Sequence, residues 1–226
     1  MKSNLRRIAI IAVAAATFMA ASSSVPKRAS CAQGSLTEVM DGLQRHYRNT
    51  KSFSAKFVEH IAPVGGAARM RQGTVYFRKP GQMRWDFEEP SKELIVSDGK
   101  QLYNYDPELN QVVEAPLAQA LRSPGATEFL LGVGDIGSDF NASLVDSAAN
   151  DGLMHLRLVP KKEGNTVELG LEAKSFNIQT IRVIDQLGDV TALKFSAIEN
   201  NGPIPDSTFA FTPPDGVDIV HSSLSK

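Results

Sequence analysis

The feature that most constrains the fold of this chain is a run of short alternating patterns across residues 73–113. Apolar and polar side chains alternate there with period two, so that Met83, Trp85 and Phe87 face one way and the charged residues between them face the other. Short turn signals separate the strands: Pro80–Gly81, Asp98–Gly99 and Asp106–Pro107. Connections this short join antiparallel neighbours, so the segment predicts an antiparallel sheet.

The period of two also occurs on both sides of this segment and gives twelve candidate segments, from which, allowing for their boundaries, we expect about eleven strands. The candidate strands are residues 53–58, 74–78, 83–87, 94–96, 102–105, 111–114, 140–145, 153–159, 167–173, 177–184, 190–198 and 207–211.

Helical patterns are few. Ser35 and Glu38 have capping-box spacing, and an apolar stripe follows them at helical spacing. The stripe consists of Leu36, Val39, Met40, Leu43 and Tyr47. A second helical stretch, residues 116–133, lies between the two β runs. We predict a mainly β (α+β) fold in which one large curved antiparallel sheet carries a few helices on one face.

Residues 1–32 have the pattern of a cleaved secretory signal peptide. A basic start precedes the apolar stretch 8–21, and Ser30 and Ala32 are small residues at the −3 and −1 positions of a cleavage site. Cleavage nearer Ala21 is the alternative. A lipidated Cys31 is a further alternative, but Arg28 occupies a position where a lipobox has an aliphatic residue. We expect one exported, soluble domain over residues 33–226.

Charge and cysteine content exclude several functional classes. Without residues 1–32 the chain has 19 Lys and Arg against 25 Asp and Glu, a net charge of −6. An acidic domain without a basic patch argues against nucleic acid as a partner and against simple electrostatic adhesion to anionic lipid. Cys31 is the only cysteine, so its removal with the leader would leave no thiol or disulfide chemistry.

No catalytic or cofactor motif stands in a suitable context. Residues 132–137 match GxGxxG, but a helix is predicted before them and a strand after them, which is the reverse of a dinucleotide-binding unit. No two of the four histidines have metal-ligand spacing: His46, His60, His155 and His221. Turn geometry explains Asp98–Gly99, and no nucleophile elbow is present. We expect no cofactor, no metal and no enzymatic activity.

The aromatic side chains on the predicted sheet allow two interpretations. Phe57, Phe77, Trp85 and Phe87 could form an ordinary core, which is the commoner role of such residues. The alternative is an apolar cavity, because the sheet is too large for so little helix to cover completely.

Several motifs, in order along the chain, resemble the LolA family of periplasmic outer-membrane lipoprotein carriers. They are Phe77-Arg78-Lys79-Pro80, Met83-Arg84-Trp85-Asp86-Phe87, Val96-Ser97-Asp98-Gly99-Lys100, Tyr105-Asp106-Pro107, Gln111-Val112 and, near the carboxyl end, Phe209-Ala210-Phe211-Thr212-Pro213-Pro214-Asp215-Gly216-Val217. The resemblance implies an incomplete antiparallel barrel with a helical lid over an apolar cavity. It also implies a monomeric periplasmic carrier that takes acylated lipoproteins from an inner-membrane ABC transporter to an outer-membrane receptor.

From the resemblance and the alternation together, we expect three groups of cavity residues. The concave face of the sheet would contribute Phe57, Met83, Trp85 and Phe87; the first helix Leu43 and Tyr47; and the lid Leu117, Leu121, Phe129 and Leu130. The family often has Arg as the lid latch before the Pro, where this chain has Lys79, which lacks a planar fork of donors.

Two other functions stay open. One is a periplasmic regulator that senses lipid or lipoprotein on the same half-barrel, although such proteins usually carry a second domain. The other is a periplasmic hydrolase, which would need a nucleophile–base pair that the sequence does not display.

Overall fold

A computed structural model of the protein describes residues 35–120, 136–146 and 151–221. These residues belong to one compact unit, Gln33–Lys226. No helix within the described ranges is long and apolar enough to cross a membrane.

The first helix, α1, spans Leu36–Asn49 and begins with the predicted capping box. Ser35 Oγ accepts a hydrogen bond from the Glu38 backbone N–H at 3.3 Å, and the Ser35 N–H donates to the Glu38 carboxylate at 2.7 Å. The helix ends where the Thr50 N–H and hydroxyl both donate to the carbonyl of His46. Two further short helices are α2, Leu117–Ala120, and α3, Ile136–Asp139.

All the strands described belong to one sheet of twelve. Their bounds are β1 Ser52–Ala62, β2 Arg69–Arg78, β3 Gln82–Glu89, β4 Leu94–Asp98, β5 Gln101–Asp106, β6 Gln111–Pro116, β7 Phe140–Val145, β8 Met154–Pro160, β9 Thr166–Leu171, β10 Ile178–Ile184, β11 Val190–Asn200 and β12 Asp218–His221. The order across the sheet is β12-β6-β5-β4-β3-β2-β1-β11-β10-β9-β8-β7. The sheet has two ends and does not close on itself, in agreement with the predicted incomplete barrel.

The carboxyl-terminal part of the chain differs from the prediction. The strand predicted at residues 207–211 is wrong: a 3₁₀ helix, Asp206–Phe209, stands there. The twelfth strand lies further on, and β12 pairs with β6 in parallel, whereas we expected only antiparallel neighbours. The period of two failed here because the Pro-rich segment around residues 203–214 lies on the sheet as a strap and does not join it.

The main core lies on one face of the sheet, which we call the inner face. It includes Phe57, Trp85, Phe195 and Leu169, and α1 packs on this face with Val39, Leu43 and Tyr47 buried. Alternation along each strand brings these side chains to the same side, as the period of two predicted.

A smaller cluster lies on the opposite, outer face beneath the carboxyl-terminal strap. Val96, Val112 and Phe209 are buried there. The Arg78 guanidinium lies 4.8 Å from the centroid of the Phe209 ring and donates to the carbonyl of Ile204 at 2.9 Å. Arg84 donates to the carbonyl of Thr208 at 3.2 Å, so two arginines fasten the strap to the sheet.

Candidate apolar binding site

The centre of the inner face is a cluster of aromatic rings from three adjacent strands. The Phe57 ring lies 4.8 Å from that of Trp85 and 5.2 Å from that of Phe87, both edge-on. Phe77 lies 5.8 Å from Trp85, again edge-on. Phe57, Trp85, Phe87 and the adjoining Met83 are each between 2% and 6% exposed. Four of the predicted cavity residues therefore lie together on the inner face.

Gly73 allows these rings to meet. It pairs with Phe57 on one side and with Phe87 on the other, so the two rings approach each other across a strand that has no side chain there. A Cβ at this position would lie 1.9 Å from the backbone oxygen of Asp86. A glycine inside a strand pattern indicates such a close approach, and this was the available sequence signal for the role of Gly73.

Helix α1 adds the two residues predicted from it. Leu43 is fully buried, and the hydroxyl of Tyr47 accepts a hydrogen bond from the backbone N–H of Ile178 at 3.2 Å. Burial raises the pKa of the Tyr47 phenol, which keeps that side chain uncharged against the apolar face. Gly42 makes the close packing possible, because a Cβ there would lie 2.2 Å from the ring of Phe176.

Lys79, the predicted latch, lies in the turn between β2 and β3. Its ammonium group donates a hydrogen bond to the carbonyl oxygen of Tyr47, near the end of α1. Burial lowers the pKa of Lys79. Within the described residues this lysine therefore holds the end of α1 against the sheet.

The predicted lid is described only where it begins. Leu117 of α2 is 5% exposed and belongs to the main core. Leu121, Phe129 and Leu130 lie outside the described residues, as does the GxGxxG stretch up to residue 135. Their predicted role stays a prediction.

A charged group lies on the inner face directly beyond the aromatic cluster. Arg71 is ion-paired with Glu59 at 2.6 Å and with Glu93 at 3.0 Å, and its guanidinium lies 4.1 Å from the centroid of the Phe87 ring. The side chain of Glu59 is only 11% exposed. Sequence reasoning missed this group, because the pairing brings together Glu59 of β1, Arg71 of β2 and Glu93 of the β3–β4 connection.

Two of the histidines and the Ser-Asp-Gly turn have clear structural partners. His155 pairs with Asp151 at 3.0 Å, and His221 with Glu114 at 3.2 Å. His46, expected on the polar side of α1, is half-buried, and burial lowers its pKa. The Ser97 hydroxyl accepts from the Gly99 N–H at 3.1 Å, as in an ordinary turn. No group of three or more metal-ligating side chains is assembled among the described residues.

Fold and site together define an open, mainly β half-barrel with an aromatic inner face. The family described as Outer membrane lipoprotein carrier protein LolA matches residues 48–212. An outer-membrane lipoprotein carrier protein from Dechloromonas aromatica is 31% identical over 183 residues, which are 80% of this chain and 86% of that protein. Another from Bordetella bronchiseptica is 37% identical over 164 residues, which are 71% of this chain and 75% of that protein. This chain belongs to the LolA family.

A solved structure gives separate support for the fold. An uncharacterized conserved protein from Thermus thermophilus superposes with a TM-score of 0.53 at 16% identity, covering 84% of this chain and 100% of that one. The likeness concerns the fold alone.

Proposed function

We propose that this protein carries lipoproteins from the inner to the outer membrane by sheltering their acyl chains against the inner face of its half-barrel. Membership of the LolA family and the aromatic cluster around Trp85 support this function. The observation that carries the proposal is the continuous apolar inner face, on which strands from both halves of the sheet and α1 bring their large side chains together.

The energetics of such a carrier follow from the apolar surface of the cargo. Each methylene removed from water contributes roughly 0.8 kcal/mol, so an acyl chain needs cover while it crosses an aqueous compartment. In the structure the rings of Phe57, Trp85 and Phe87 cover one another. Cargo contacts would replace these ring contacts, and the free energy used to separate the rings makes binding weak enough for release.

The residues proposed to contact the acyl chains come from the sheet, the first helix and the lid. They are Phe57, Met83, Trp85, Phe87, Leu43, Tyr47, Leu117, Leu121, Phe129 and Leu130. We further propose that Lys79 latches the closed state through the end of α1, since its ammonium group is bound to the Tyr47 carbonyl.

The remaining parts of the proposal concern the path of the cargo. Residues 1–32 would direct export to the periplasm and be removed there. An inner-membrane ABC transporter would load the carrier, and an outer-membrane receptor would accept the cargo. The protein would act as a monomer and without catalysis.

Site-specific photocrosslinking tests the inner face as the cargo site. Phe57 and Lys56 are neighbours in β1, but Phe57 is buried on the inner face and Lys56 is exposed on the outer face. A photoreactive residue at position 57 should give an adduct with an acylated lipoprotein, and the same residue at position 56 should not. Adducts from position 56 alone would place the cargo on the outer face and contradict the proposal.

A transfer assay separates a carrier from a regulator on the same fold. Protein loaded with a triacylated lipoprotein should pass it to outer-membrane vesicles that contain a receptor. Stable retention of the lipoprotein, with no transfer, would favour a sensor. Conversion of the lipoprotein to a hydrolysed product would favour an enzyme.

A further inference from the structure

The three most exposed large hydrophobic side chains among the described residues all lie in turns, whereas the other exposed ones lie in strands. Val64, Leu109 and Leu187 are 68%, 70% and 82% exposed. They stand in the β1–β2, β5–β6 and β10–β11 turns, which antiparallel pairing places at the same end of the sheet, away from the end where α1 joins β1. We call these three turns the apolar rim. The described turns at the opposite end, β2–β3, β4–β5 and β9–β10, carry no exposed large hydrophobic side chain.

The backbone at each of the three residues is fixed in the same way. The backbone N–H of Val64 donates to Asp189 Oδ1 at 2.6 Å, that of Leu109 to Asp106 Oδ1 at 3.1 Å, and that of Leu187 to Asp185 Oδ1 at 2.8 Å. The three aspartate carboxylates are therefore turned into the turns. The Val64 bond also ties the β1–β2 turn to the β10–β11 turn, so these two turns are held together.

The composition of the apolar rim is compatible with the surface of a lipid bilayer, which has an apolar interior beneath polar headgroups. Residues 61–68, which form the β1–β2 tip, contain no charged side chain. Exposed charges of both signs surround this tip at the same end: Glu108 beside Leu109, Lys92 between β3 and β4, and Lys162 and Glu163 between β8 and β9. A single exposed apolar side chain is common on protein surfaces, and what distinguishes these three is that they are the most exposed large hydrophobic side chains of the described residues and stand at one end of the sheet.

The spacing of the three turns indicates what that surface is. The β1–β2 and β5–β6 turns are about four strand spacings apart, roughly 19 Å along the sheet. The side chains are convex and separate, so a pocket in a protein partner would accommodate one of them. A lipid surface accommodates all three at once, because it is broad, apolar and deformable.

We propose that the apolar rim docks on the surface of a phospholipid bilayer, with Val64, Leu109 and Leu187 entering the interface. Docking at this end goes beyond the carriage of lipoproteins. It would bring the inner face next to the membrane that supplies or receives acyl chains.

Flotation with vesicles of phosphatidylethanolamine and phosphatidylglycerol tests the proposal without any cargo. The purified protein should float with the vesicles, and Leu187→Asp should weaken its binding roughly tenfold. Val64→Asp and Leu109→Asp should add to the loss. The matched control is Ala173→Asp, which adds the same charge at an exposed turn at the opposite end and should bind like the unaltered protein.

Two results would overturn the proposal. One is an unaltered protein that stays out of the floating fraction. The other is a triple variant, Val64→Asp with Leu109→Asp and Leu187→Asp, that floats as well as Ala173→Asp. Either result, combined with cargo adducts from position 57, would leave the carrier function standing and remove only the membrane contact.

Discussion

At the scale of single residues, Gly73 decides how the aromatic cluster is built. Its missing side chain lets the strands on either side bring Phe57 and Phe87 into edge-on contact. A ring pair of this geometry contributes free energy beyond the burial of its area. The inner face therefore depends on a residue that contributes no apolar atoms of its own.

Gly73→Ala should lower the free energy of unfolding by about 1–3 kcal/mol, because the new methyl group forces β2 and β3 apart. Its Cβ would lie 1.9 Å from the Asp86 carbonyl oxygen, which belongs to the backbone and has little freedom to move away. Urea denaturation measures the change. Gly164→Ala is the control, since its Cβ would lie 3.4 Å from the nearest atom and should be nearly neutral. Equal stability of the two variants would contradict the packing described.

Arg71 compensates the buried charge at the edge of the apolar face. Arg71→Leu should destabilise the protein by about 1–3 kcal/mol, because Glu59 would then lie buried without its partner. Adding Glu59→Leu should restore much of that loss, since it removes the uncompensated carboxylate. A double-mutant cycle in urea gives both values, and strictly additive effects would show that the pair is not coupled.

The sequence predicted which face of the sheet each side chain occupies better than it predicted which side chains form ion pairs. Alternation placed Met83, Trp85 and Phe87 on one face, and they are buried together. The same rule puts Arg71 on that face, but it cannot show that Glu93, from a segment 22 residues away, completes the ion pairs. Pairing of this kind depends on strand register and turn geometry, which period alone does not specify.

At the scale of elements, the end of α1 is a polar contact zone with the sheet. Lys79 donates a hydrogen bond to the Tyr47 carbonyl. Burial lowers the pKa of His46, the residue before Tyr47. A hydrogen bond with Asn177 opposes this shift, and the nearby charge of Lys79 adds to it. The buried Nε2 of His46 has no hydrogen-bond partner within the described residues. The folded protein therefore favours the neutral imidazole.

Acidification should weaken the attachment of α1. Because the pKa of His46 is lower in the folded than in the unfolded state, the unfolded chain binds the proton first as pH falls below about 6.5. Stability contributed by neutral His46 is thus complete above that pH and is lost as pH falls towards the folded pKa. Urea titrations between pH 8 and pH 5 measure this loss. His46→Gln should flatten the pH dependence, and an unchanged slope would assign it to other groups.

Some helices and strands were predicted more accurately than others. The capping box and apolar stripe specified α1 well, because local hydrogen bonds and period both point to a helix there. The segment 207–211 also alternates, yet it forms a 3₁₀ helix and strap on the outer face. Its position depends on Arg78 and Arg84, which are distant in sequence, so no local pattern could have revealed it.

At the scale of the whole molecule, the sheet joins two halves of the chain that are far apart in sequence. β1 pairs with β11 on one side and β2 on the other, so the central strand connects the amino-terminal hairpins to the carboxyl-terminal ones. Counting strands predicted the size of the sheet, but not this connection or the parallel β12. The open order leaves one continuous apolar face, which is the basis of the proposed carriage of acyl chains.

The single tryptophan of the chain gives a direct test of that claim. Trp85 is 5% exposed and lies inside the aromatic cluster, so it reports on the inner face alone. The measurement is its fluorescence while the protein is loaded with a lipoprotein whose acyl chains carry bromine, a contact quencher. The matched control moves the tryptophan to the outer face by combining Trp85→Phe with Lys56→Trp.

We expect loading to quench Trp85 strongly and to leave the tryptophan at position 56 nearly unchanged. Saturated loading, verified by mass spectrometry, that leaves the emission of Trp85 unaltered would contradict the central claim, because the acyl chains would then lie away from the inner face.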